Sequence, residues 1–179
     1  NDIRIYTDGK EKFHALIEEM KRAKKYIHVQ YYIIRNDEVW QDIEKVLIEK
    51  AHEGVEVRVL FDSMGCRTMH KRDWDRLKCE GIRVAEFFPA ILGQLQMRVN
   101  YRNHRKIVVI DGKVGFVGGF NVGREYIGKD EKFGYWRDTH LCIEGAAVTS
   151  LAVRFVLDWY YAAHENLFLE DHLFEIPQY

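Results

Sequence analysis

The stretch NHRKIVVIDGKVGFVGGFN, Asn103 to Asn121, constrains this chain more than any other, because two apolar runs meet at Asp111-Gly112. Asp tolerates and Gly favours the positive φ values of a tight hairpin turn, so the stretch predicts two antiparallel strands joined there. With a two-residue loop, Ile110 pairs with Lys113, Lys106 stands opposite Val117, His104 opposite Gly119, and Arg102 opposite Asn121. Faces alternate with period two, which puts His104, Lys106, Gly119 and Asn121 on one side of the sheet. This inference hangs on loop length, since a three-residue loop turns Gly119 and Asn121 to the other face.

That set suits an anionic phosphoryl group. It offers an imidazole, an ammonium, a side-chain amide, and a Gly118-Gly119 backbone that oxygens can approach closely. Asp111 lies at the turn, off this face, and is expected to be structural. From Phe87 to Ile110 the chain carries Arg98, Arg102, Arg105 and Lys106 and no acidic residue, a locally cationic approach. Asp138 and His140 share a face of a further strand, WRDTHLCIEG. Asp138 either orients His104 through a ring N–H or pairs with Arg137 or another base. His140 is a weaker candidate for a local general acid. Tyr31 and Tyr32 either border the site or, the better expectation, pack in the core.

The rest of the chain supplies the scaffold. Ile3–Tyr6, Tyr26–Ile34, Val55–Phe61 and a segment from Ile82 read as strands. Between them lie helices marked by Phe13, Leu16, Ile17 and Met20, by Ile43, Val46 and Leu47, and by His70–Cys79. The alternating order predicts an α/β domain with a largely parallel sheet. Ala146–His164 is expected to close it as a helix with Val153, Val156, Leu157 and Tyr160 on one side. At 179 residues the chain suits one domain.

Its net charge of −1 gives no global basic field, which argues against nucleic acid as a partner. Three scattered cysteines, Cys66, Cys79 and Cys142, give neither a disulfide framework nor a metal-site spacing. No apolar run reaches the ~20 residues of a membrane span. The segment is therefore expected to be soluble as it stands, and its start at Asn1 rather than Met suggests either a processed product or an excised piece of a longer protein. The run FFPAILGQLQMRVN, Phe87 to Asn100, is either a dip into a lipid headgroup layer or a buried loop and strand.

HRKIVVID fits H-x-K-x4-D, and Gly118, Gly119 and Asn121 fit G-[GS]-x-N, so the chain resembles the phospholipase D superfamily. With TDGKEKF, YIHVQYYII and KAHEGVEVRVLFD upstream, it resembles the first catalytic half of bacterial cardiolipin synthases. The resemblance implies an α/β/α sandwich and a metal-independent, cofactor-free transfer in which two phosphatidylglycerol molecules give cardiolipin and glycerol. It also implies His104 as the catalytic histidine, Lys106 and Asn121 as phosphate binders, Gly119 as the close-approach position, and Asp111 as the motif acid. A second motif-bearing half, in the same full-length chain or from a homodimer, is expected as partner, at the bacterial cell membrane. One imidazole cannot attack phosphorus and protonate the leaving oxygen at once. Two other readings stay open at this point. One is a phosphodiesterase of the superfamily, either a lipid hydrolase or a homodimeric nuclease, and the other is a headgroup-binding module without turnover.

Overall fold

A computed structural model describes residues 1–87, 103–170 and 173. Among the described residues seven strands form one sheet: β1 (Asp2–Asp8), β2 (Tyr26–Tyr31), β3 (Glu56–Asp62), β4 (Arg83–Phe87), β5 (Ile107–Ile110), β6 (Val114–Gly118) and β7 (Arg137–Glu144). Four α-helices accompany them there: α1 (Gly9–Arg22), α2 (Glu38–His52), α3 (Lys71–Cys79) and α4 (Val148–Ala163). The spatial order is β1-β7-β6-β5-β2-β3-β4.

The fold is the expected α/β/α sandwich around a mixed sheet, but parallel pairing is confined to β2, β3 and β4. The other four pairings are antiparallel. Two crossovers through α2 and α3 build the parallel part, whereas β5 returns to β6 through a tight turn and residues 119–136 link β6 to β7. Residues of α1, α2 and α3 pack with Ile27, Val29, Val57, Val59, Val108 and Phe116 on one face. On the other face α4 covers Leu60, Ala85, Ile107 and Val109.

Helix α4 buries Val148, Ala152, Phe155, Val156, Asp158 and Trp159. That stripe corrects the expected one: Leu157 and Tyr160 face outward, 43 % and 52 % exposed. The rotation brings a carboxylate, Asp158, into the core. Cys66, Cys79 and Cys142 are free thiols. Among the described residues, no helix is long and apolar enough to cross a membrane.

Candidate functional site

The hairpin forms, with a register one residue away from the expected one. Ile110 pairs with Val114 and Ile107 with Val117, so the loop is the three residues Asp111-Gly112-Lys113, closed by Lys113 N–H donating to Ile110 O at 3.0 Å. Asp111 and Gly112 do take positive φ, 52° and 66°. What fixes the longer loop is the Asp111 carboxylate, which accepts the backbone N–H groups of Lys24, Lys25 and Tyr26 at 2.8, 2.7 and 2.9 Å. Asp111 thus ties the turn to the connection between α1 and β2, at the end of β5 away from His104.

One residue beyond the paired ends, this register puts Lys106 between Tyr31 on β2 and Gly118 on β6. Gly118, and not the expected Val117, is therefore the sheet neighbour of Lys106, and strand alternation no longer puts Gly119 and Asn121 on its face, as the three-residue loop requires. The site gathers where the segments leaving β2 and β6 converge past the start of β5. They meet in a parallel bridge, Ile34 to Val122, with Val122 N–H donating to Ile33 O and Arg35 N–H to Val122 O. Asn121 secures the junction. Its Oδ1 accepts Ile33 N–H at 3.0 Å, and its Nδ2 donates to Tyr126 Oη at 3.2 Å.

Because that bridge closes the sheet edge ahead of β5, the chain enters β5 alongside α4. Asp158 on α4 receives Asn103 Nδ2 at 2.9 Å and Arg105 Nη1 at 3.2 Å. It also receives Gln30 Nε2 at 2.7 Å and pairs with Arg154. With odd-numbered Asn103 and Arg105 anchored toward α4, the even-numbered His104 and Lys106 are free to project to the opposite side. Asp158 was missed from the sequence; a lone Asp within the apolar run of LDWYY was the available signal.

His104 is exposed, and its imidazole stacks on the Tyr32 ring, centroids 3.9 Å apart and planes 18° from parallel. Lys106 Nζ donates to His104 O at 2.6 Å and lies 5.7 Å from the Tyr32 ring centroid. Burial lowers the Lys106 ammonium below the ordinary lysine range, with Asp138 pulling the other way. Among the described residues Lys106 has no ion pair closer than that influence. The two tyrosines thus divide: Tyr31 is core, and Tyr32 borders the site, held from below by the loop after β3. There a Cβ on Gly65 would sit 1.9 Å from Tyr32 O.

Asp138 is directed at Gly119 and Lys106. A Cβ on Gly119 would lie 1.9 Å from Asp138 Oδ1, so Gly119 leaves room for that carboxylate. Asp138 Oδ1 accepts Thr139 N–H at 2.7 Å. Among the described residues no hydrogen bond joins it to His104. His140 does not serve as a local acid: it is 0 % exposed, and burial, then Lys12 and Lys106, push its imidazole down to about 2. Arg98, Arg102 and the run from Phe88 to Asn100 lie outside the described residues.

Residues 16–144 match the family described as cardiolipin synthase, PLD-like domain. The chain is 51 % identical over 175 residues to cardiolipin synthase 2 of Staphylococcus epidermidis, covering 97 % of this chain and 36 % of that protein. It is 49 % identical over 166 residues to the major cardiolipin synthase ClsA of Bacillus subtilis, 93 % of this chain and 34 % of that one. The chain therefore spans about a third of the length of the curated relatives it matches. In fold it is similar to NucT from Helicobacter pylori, with a TM-score of 0.68 at 14 % identity, covering 90 % of this chain and 97 % of that one. It is likewise similar to Nuc from Salmonella typhimurium, a phospholipase D family member, with a TM-score of 0.66 at 16 % identity, covering 90 % and 95 %.

Proposed function

Since this chain belongs to the family of PLD-like domains of cardiolipin synthase, we propose that it is one catalytic half of an enzyme that condenses two phosphatidylglycerol molecules to cardiolipin and glycerol at a membrane surface. The observation that carries this reading is the adjacency of an exposed imidazole and a half-buried ammonium at one corner of the sheet. His104 contributes nitrogen to phosphorus. Lys106 neutralises the phosphoryl oxygens, and the Asn121 amide, whose Nδ2 carries a second N–H beyond the one given to Tyr126, completes the cradle; Gly119 contributes by making room for Asp138 and not as a bare backbone.

The N–P bond forms as the P–O bond to glycerol breaks, and the leaving oxygen takes a proton from an acid on the second half. The hydroxyl of a second phosphatidylglycerol then attacks phosphorus and returns its proton to that group, and the N–P bond breaks to restore His104. Burial strengthens the hold of Lys106 on the developing charge, because less water screens it. Tyr32 keeps the imidazole plane fixed by stacking. Asp111 acts at a distance, by fastening the far end of β5.

The second half is the partner this reading requires. Incubating the chain with phosphatidylglycerol vesicles and measuring its intact mass, beside a His104→Asn variant, tests the assignment. A phosphatidyl-sized adduct absent from the variant supports it, and adding the second motif-bearing half should then release cardiolipin. An adduct that persists in His104→Asn would remove His104 from the nucleophile's role.

A further inference from the structure

Beneath the site lies a lysine that the proposed chemistry leaves unused. Lys12, on α1, is 0 % exposed. Its Nζ bonds Tyr31 Oη at 2.7 Å and sits 3.8 Å from the Phe13 ring centroid. Among the described residues no carboxylate pairs with it. A buried ammonium without a counter-charge is costly, and burial accordingly lowers Lys12 well below the ordinary lysine range.

The surroundings are equally unusual. One row across this sheet face runs Tyr6, His140, Gly118, Lys106, Tyr31, Phe61. Gly118 has no room for a side chain in that row, since a Cβ there would lie 2.7 Å from His140 Cγ, so the imidazole closes over it. His140 is sealed, and neither of its ring nitrogens has a hydrogen-bond partner among the described residues. Lys12 and Lys106 both act on it electrostatically. The groups facing Lys12 are thus Tyr31 from β2 and His140 from β7. Tyr6 on β1 stands across from His140, and Lys106 with Asp138 lies toward the site. Ionisable groups on the elements packed against α1 are engaged elsewhere: Tyr126 with Asn121, Glu125 with Arg35, Glu44 with Arg76 and Lys50 with Glu53.

We propose that Lys12 is a proton acceptor coupled to the site: when a phosphodiester anion settles against Lys106, the Lys12 amine takes a proton from solvent, so that the buried cation forms together with its counter-anion. The inference rests on the reading of Lys106 as the phosphate-binding cation. Its use in the reaction follows from charge. As the glycerol oxygen departs, negative charge around phosphorus outgrows what one ammonium offsets, and a second cation behind Tyr31 answers it without occupying the substrate's space. His140 stays neutral between the two lysines.

Calorimetric titration with glycerophosphoglycerol, a singly charged phosphodiester, tests this at pH 8 in two buffers of different ionisation enthalpy. A His104→Asn background keeps that imidazole out of the proton count. We expect uptake approaching one proton per ligand, lost in Lys12→Met, with Kd raised roughly tenfold. Binding without uptake, or uptake that survives Lys12→Met, overturns the inference and leaves the reading of Lys106 standing. Binding that is absent, or undiminished by Lys106→Met, overturns both. Should Lys12→Met fail to fold, ¹⁵N spectra of the lysine side chains in the unsubstituted chain decide. A buried amine signal that becomes an ammonium signal on ligand addition supports the inference, and one that stays unchanged refutes it.

Discussion

Lys12 and Tyr31 form a buried polar pair whose two members depend on each other. Removing either leaves the other unsatisfied, whereas removing both leaves apolar surface on both sides. Lys12→Met/Tyr31→Phe should therefore be more stable than either single variant, and at pH 7 more stable than the unsubstituted chain by about 1–3 kcal/mol. The pH dependence has a definite sign. The folded-state value of Lys12 lies below the ordinary 10.5, so between the two the unfolded chain binds the extra proton and stability rises with pH. The penalty is complete below the folded value and is relieved toward the unfolded one. Urea unfolding across this range should show the advantage of the double variant shrinking as pH rises toward 10; a constant advantage would mean that Lys12 is not neutralised by folding.

Hairpin β5–β6 shows what local pattern conveys and where it stops. Both strands, the turn at Asp111-Gly112 and the positive φ values were legible in composition and alternation. The loop length was not, because it is set by three N–H groups about 86 positions earlier in the chain, which no local pattern contains. That single residue of register moved Gly118 beside Lys106 and left Gly119 to accommodate Asp138. Helix α4 was misread in the same way. Its Asp158 went unread because its partners Gln30, Asn103 and Arg105 come from other elements. The role of Asp111 at this scale is measurable. Asp111→Ala removes one acceptor serving three backbone donors and should cost about 2–4 kcal/mol. Hydrogen exchange should accelerate first at Lys24, Lys25 and Tyr26 while β3 and β4 stay protected. Uniform acceleration would show that the tie is not local.

Across the whole molecule, the sheet is fastened at two opposite ends. Far from the site, the buried Arg58 of β3 reaches Glu165 and Glu170 beyond α4, and Glu165 also accepts the Trp159 indole N–H at 2.8 Å. Burial works against the Glu165 carboxylate, but that indole, Arg58 and Arg83 together hold it below the ordinary range. The stabilisation it gives is present above the unfolded carboxylate range and is lost as pH falls through the folded value. Trp159 emission should change in that acid window, and Glu165→Gln should abolish the change; a transition retained in the variant would assign it to another group. At the end that carries His104 and Lys106, the order of elements was readable, yet the Ile34–Val122 bridge was not, since it joins segments flanking strands that are not neighbours in the sheet. Mechanically, that bridge is a stop. Strand β5 cannot slide toward its amino end without striking it, and cannot slide the other way without tearing Asp111 from its three donors. His104 and Lys106 therefore ride on a bar clamped at both ends, so the spacing of imidazole and ammonium along the sheet behaves as a fixed length.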